Sequence, residues 1–173
     1  MADADVLFAA HRDRVFRYLS RFLGHGDAAR DLTQEVFLRV TRGPVPKIDD
    51  AGRRAWVFRI ARNLALNHVR DDRRHALVEP VDTTRPATQE LSAALREALA
   101  ALPELDRDVF LLREVAGLSY EEIARTSELT PAAIRSRLHR TRQQLRSALA
   151  PALRVEQASK GVRLRLEEMT NDR

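Results

Sequence analysis

The chain has 173 residues, of which 44% are hydrophobic, 32% charged and only 5% aromatic, with no Cys. That profile excludes a disulfide scaffold, thiol catalysis and Cys-based zinc sites, leaves little room for a β-sandwich, and favours a soluble all-α protein. The formal net charge is +5, carried almost wholly by Arg because Lys47 and Lys160 are the only lysines, and it points to a polyanionic partner.

The first helical pattern runs from about Asp5 to Leu23, with Val15, Leu19 and Phe22 at helical spacing. Gly24-His25-Gly26 breaks it. Asp27 is placed as the N-cap of a second helix to about Arg42, striped by Leu32, Val36 and Val40. Gly43-Pro44-Val45-Pro46 stops that helix, and a third is predicted from Ala51 to about Asp72. In the third helix Val57, Ile60, Ala61 and Leu64 share one face. Arg59, Arg62, Asn63 and Arg70 share the opposite one, with Trp56 and Asn67 at its edge and Arg73 and Arg74 extending the charge. An aromatic beside Arg can stack on unpaired bases, and amides can read base edges. Trp56 fits core packing equally well.

Residues 76–89 hold two prolines and no helical period and read as a linker. Helices are then predicted near Glu90–Ala101, Pro103–Ala116, 119–126 and 131–148, with Pro151 ending the last. The fold expected is therefore all-α: two small helical domains, 1–75 and 90–150, joined by a flexible linker. Residues 151–173 are read as a solvated extension, with a regulatory helix on Leu153, Val162, Leu164 and Leu166 as the alternative.

Ser119-Tyr120-Glu121-Glu122 is a capping box, and Leu118 with Ile123 can staple across it. Thr130 caps the next helix, with Pro131 at its first position. Two short helices with fixed starts, four residues apart, make a helix-turn-helix. Ile134, Leu138, Thr141 and Leu145 form the inner face of its second helix. Arg135, Ser136, His139, Arg142 and Gln143 form the outer one, flanked by Arg137 and Arg140. No acid occurs from Thr130 to Ser147, so this helix can meet phosphates and base edges without repulsion. The turn position that commonly takes Gly is Glu128, where a left-handed backbone carries about 1–2 kcal/mol of strain.

The five histidines are scattered along the chain, which argues against a metal site, and no cofactor is expected. Dispersed acids argue against a nuclease or any other enzyme. No apolar run approaches the ~18 residues of a membrane span and no signal-peptide core precedes the first helix, so the expected location is cytoplasmic.

The strings DAARDLTQEVFLRVTR (27–42), RAWVFRIARNLALNHVR (54–70) and LPELDRDVF through RTRQQLR (102–146) resemble bacterial sigma factors of the extracytoplasmic-function type, the two-domain branch of the sigma-70 family. The resemblance covers about residues 5–148, in the order region 2, linker, region 4. It implies an alternative sigma factor that recruits core RNA polymerase to promoters. Asp31, Gln34, Glu35, Phe37 and Leu38 match the polymerase-docking motif. Trp56, Arg59, Arg62, Asn63, Asn67 and Arg70 match the part that binds and melts the −10 element, and the loop from Gly43 to Gly52 the one that captures an extruded base. Arg135, Ser136 and His139 fall nearest the −35 bases, with Arg137, Arg140 and Arg142 nearer the backbone. An anti-sigma factor is the further partner implied. The alternative is a helix-turn-helix regulator that binds DNA without polymerase.

Overall fold

In the computed structural model the backbone is described for residues 3–75 and 87–171, and the side chains for 3–72, 91–155 and 157. The described residues form α-helices and no strand: α1 Asp3–Leu23, α2 Gly26–Arg42, α3 Asp50–His75, α4 Ala87–Ala100, α5 Glu104–Glu114, α6 Tyr120–Ser127 and α7 Pro131–Asn171.

The first three helices pack into one bundle. Its core takes Val15, Tyr18, Leu19 and Phe22 from α1, Ala29, Val36 and Val40 from α2, and Val57, Phe58 and Ala61 from α3. The apolar stripes read from the sequence are the faces that turn inward, as removal of apolar surface from water requires. Local chemistry sets the ends. Gly24 sits at φ +82, where a side chain would be strained, and its N–H closes α1 on the Ser20 carbonyl at 3.0 Å. The N-cap of α2 is His25 rather than Asp27; its backbone is extended and its side chain makes no capping bond. Asp27 instead lies in the first turn, where a carboxylate still complements the helix dipole. At the start of α3 the Asp49 carboxylate accepts the Gly52 N–H at 2.8 Å, so the helix begins one residue earlier than predicted.

The second bundle is α4–α7, around Val109, Leu111, Leu112, Leu118, Ile123, Ile134, Leu138 and Leu145. α4 starts at Ala87, inside the segment read as a linker; residues 76–86 of that segment lie outside the described residues. Pro151 does not end α7, which continues to Asn171 and packs back along α4. A proline there removes one i→i−4 bond, from its own nitrogen to the Ser147 carbonyl. Ser147 and Pro151 are both exposed, so water can take up that carbonyl.

The two bundles touch. α1 and α3 of the first meet α4, α5 and α6 of the second. This seam is polar at its centre, and it decides which basic residues are accessible.

Candidate nucleic-acid interface

The second bundle presents the helix-turn-helix as its sequence requires. The Ser119 hydroxyl accepts the Glu122 N–H at 3.2 Å, and the Glu122 carboxylate accepts the Ser119 N–H at 2.7 Å, completing the capping box. Thr130 caps α7 by accepting the Ala133 N–H at 3.2 Å. Between them Glu128 holds φ 57 and ψ 38, the only non-Gly residue at positive φ among those described. The strain anticipated at the turn is therefore present.

On α7, Ile134, Leu138, Thr141 and Leu145 are buried, and Arg135, Ser136, His139, Arg140, Arg142 and Gln143 are exposed. The arginines are not equivalent. Arg137 is half-buried and bonded to Asp106 at 2.6 Å. Arg142 holds Glu114 at 2.7 Å, a bond that lifts its guanidinium above the usual arginine range. Thus α5 supplies the acids that residues 131–147 of α7 lack, and Arg137 and Arg142 are tethered to their own bundle. Arg135 stands over the Tyr120 ring at 5.9 Å, a cation–π contact between α7 and α6.

On α3, Arg59, Asn63, Asn67 and Arg70 are exposed along one side, and Trp56 is half-buried at its edge. The side chains of Arg73 and Arg74 lie outside the described residues. Trp56 is neither fully in the core nor free: it lines a cavity of about 210 Å³ with Pro46, Ile48, Gly52 and Arg59, so the loop after α2 and the basic helix enclose one space. Arg125 and Thr126 of α6 close its other side. A Cβ on Gly52 would come within 2.8 Å of Ile48 and Asp49 side-chain atoms, so glycine is what keeps this wall close.

Arg62 departs from the sequence expectation. Its side chain is only 16% exposed, and its Nε donates to Asp108 of α5 at 2.5 Å. Asp108 is fully buried and also accepts the Tyr18 hydroxyl of α1 at 2.7 Å. Burial pushes the Asp108 carboxyl above the usual carboxylate range, against the opposing pull of Arg62 and of the bonds from Arg62 and Tyr18. Burial, then the Asp108 charge, likewise drives the Tyr18 phenol well above its ordinary value, so it remains a donor. Arg62 was grouped with the outward face because helical period assigns a side, not a neighbour. One helical turn or more away, Arg54 forks onto Glu122 with three bonds of 2.8–3.0 Å. Neither Arg54 nor its partner was legible as a contact in the sequence, since they lie 68 residues apart.

On α2, Asp31, Gln34 and Leu38 are exposed, Leu38 to 45%, and Glu35 is engaged by Arg39 at 2.7 Å. Phe37 is in the core, 5% exposed, against the edge of the Phe8 ring at 4.9 Å. Phe8 is itself 45% exposed, which the pattern of α1 did not reveal.

The family models for Sigma-70 region 2 and Sigma-70 region 4 match residues 7–75 and 92–145 respectively. A Pseudomonas aeruginosa protein, RNA polymerase sigma-H factor, is 31% identical across 87% of this chain and 88% of its own length.

The chain belongs to the sigma-70 family, in its extracytoplasmic-function branch.

Members of this family are alternative, non-enzymatic factors that initiate transcription through RNA polymerase. The chain is also 40% identical over 87% of its length to the ECF RNA polymerase sigma factor SigE of Mycolicibacterium smegmatis, of which it spans 63%. It is 34% identical over 83% of its length to the Myxococcus xanthus sigma factor CarQ, spanning 87% of that protein. The fold agrees with the sigma factor RpoE of Bartonella quintana, solved with the anti-sigma factor NepR: TM-score 0.66, 20% identity, 87% of this chain and 98% of that one. It agrees similarly with CnrH, solved with the cytosolic domain of CnrY: TM-score 0.64, 24% identity, 86% and 88% covered. The region 2 match thus falls within α1–α3, the region 4 match runs from α4 to residue 145 of α7, and the ion pair of Arg62 and Asp108 joins the two. No described helix is long and apolar enough to cross a membrane.

Proposed function

We propose that this chain recruits core RNA polymerase to promoters, opens the −10 element with α3 and reads the −35 element with α7. The observation that carries the reading is one chain with two basic helical faces on separately packed bundles. One is free of acids from Thr130 to Ser147, and the other carries an aromatic residue and exposed amides beside its arginines. A duplex reader needs the first face, and a strand-separating surface needs the second.

The residue roles divide accordingly. Arg135, Ser136 and His139 read base edges at −35 while Arg140 contacts the backbone; Arg137 and Arg142 chiefly brace α7 against α5. Trp56, Arg59, Asn63, Asn67 and Arg70 bind the −10 strand, and the cavity beside Trp56 takes an extruded base. Unstacking a base costs a few kcal/mol, offset by stacking and backbone contacts at that surface. Asp31, Gln34 and Leu38 form the polymerase-facing side of α2, with Phe8 widening its apolar part, while Phe37 packs the face from behind. Polymerase performs the chemistry.

While Arg62 and Arg54 are bonded to Asp108 and Glu122, they cannot serve promoter phosphates, and Arg125 with Thr126 covers the Trp56 cavity. Engaging the −10 and −35 elements together therefore requires the seam to open. Of the two solved relatives, one carries the anti-sigma factor NepR and the other the cytosolic domain of CnrY, which supports an anti-sigma partner for this chain in the cytoplasm as well.

Co-elution with bacterial core polymerase, followed by start-site mapping in transcription on genomic promoters, tests the proposal. Holoenzyme formation and new start sites are expected. DNA binding without co-elution would leave a simple helix-turn-helix regulator.

A further inference from the structure

We infer that region 2 holds a divalent transition-metal site of the zinc class, built by His25, His68 and Asp72. The one ligand atom offered by each residue lies within 4.8 Å of the other two. His68 and Asp72 are one turn apart on α3, and His25 reaches them from the turn between α1 and α2. The 42 residues between His25 and His68 hide the cluster in the sequence.

Three observations distinguish this cluster from a chance meeting of surface side chains. The His68 Nε2 and the Asp72 carboxylate are 3.2 Å apart. Two ligands on a tetrahedral cation with bonds of about 2.0–2.1 Å are separated by about 3.3 Å. The same Nε2 is buried and has no aligned hydrogen bond, not even to Asp72 at that distance. Two atoms at such a spacing that do not point at each other are disposed to share a third point between them. Finally, His25 occupies an N-cap position, which favours Ser, Thr, Asp or Asn, yet its side chain caps nothing. Its ring lies 6.1 Å from that of His68 instead.

Two imidazoles and one carboxylate form a borderline N₂O donor set. It suits Zn²⁺ or Co²⁺ and leaves one position for water; Mg²⁺ and Ca²⁺ prefer all-oxygen shells. His68 and Asp72 already stand at a ligand–ligand spacing, so closing the triad falls to His25. That side chain is exposed and stands between Gly24 and Gly26, neither of which has a neighbour within 4 Å of an added Cβ. A bound cation would tie the α1–α2 turn to the last turns of α3, where the chain leaves region 2. It would lie beside the cavity that His25 shares with Ser92, Leu95 and Arg96 of α4.

The test uses the untagged full chain, stripped of metal by chelation, titrated with Zn²⁺ in a calorimeter and melted with and without one equivalent. One site per chain and a higher melting temperature are expected. Co²⁺ should give the intense visible bands of a four-coordinate centre. His25→Gln, at an exposed turn that leaves the fold intact, should lower Zn²⁺ affinity at least tenfold, as should Asp72→Asn. His68→Ala should abolish the cobalt bands. Binding without one-to-one stoichiometry, or affinity unchanged in both His25→Gln and Asp72→Asn, overturns the site.

Discussion

Arg62 of α3 and Asp108 of α5 form a buried ion pair that locks a helix of region 2 against a helix of region 4, with the Tyr18 hydroxyl on the other carboxylate oxygen. Removing one member of such a pair inside a rigid core costs about 3–5 kcal/mol, because the remaining charge stays dehydrated. Here the partners sit on different bundles, so the seam can part and return Arg62 to water. Asp108→Ala is therefore expected to open the protein rather than unfold it. The radius of gyration from X-ray scattering should rise while the helical circular dichroism is unchanged. An unaltered radius would mean that the apolar contacts alone hold the bundles together. Arg54→Ala, which loses only the Glu122 fork, should open it less.

Glu128 supplies a stability prediction. Its left-handed backbone, φ 57 and ψ 38, carries strain that glycine lacks. Glycine also makes the unfolded chain more flexible, which opposes the gain. Glu128→Gly should therefore raise stability by about 0.5–1 kcal/mol, the difference between these two effects, read from urea unfolding. A loss of stability would mean that the Glu128 side chain makes compensating contacts.

Arginines on α7 should separate by sequence dependence. Arg135→Ala is expected to weaken binding to a cognate −35 duplex by about 1–3 kcal/mol and to relax its preference over a scrambled site. Arg142→Ala, whose guanidinium is already held by Glu114, should cost less and affect both duplexes alike. Fluorescence anisotropy at fixed salt distinguishes them, since both affinities fall as salt rises. Equal losses for the two variants would remove the distinction between base reader and brace.

Two residues of α2 should give different failures. Asp31→Arg reverses an exposed charge and should abolish co-elution with core polymerase while the melting temperature stays within a few degrees of wild type. Phe37→Ala empties a core position and should destabilise region 2 by about 3–5 kcal/mol. Polymerase binding that survives Asp31→Arg would move the docking face elsewhere on the bundle.

Residues close together in the chain suffice to specify the helices, the division into two bundles and the helix-turn-helix with both its caps. These are local matters: Ser119 and Glu122 are three residues apart, and the stripe of Ile134, Leu138 and Leu145 repeats within one helix. The sequence also carries the family resemblance, because the DLTQEVF and RAWVFRIARN strings are contiguous. The ends of α2 and α7 were less legible. A proline signals a lost hydrogen bond but not whether the helix resumes beyond it, so Pro151 reads as a stop although α7 continues through it. Asp27 is a better cap than His25 by propensity alone, yet the helix is capped two residues earlier. Which charges are free depends instead on how the helices pack. Arg62 shares a helical face with Arg59 and Asn63, but Asp108 approaches it from 46 residues away and withdraws it from solvent. Phe37 looks like part of a docking surface until Phe8 covers it. His25 is unremarkable until the packing of α2 on α3 brings it to His68 and Asp72. Periodicity fixes the direction in which a side chain leaves its own helix, whereas its partner is set by the packing of the others. For the helix-turn-helix the structure therefore changes little in the outline and more in the detail: among residues 135–142 of α7, it leaves Arg135, His139 and Arg140 without an acid bonded to them, and ties Arg137 and Arg142 to α5.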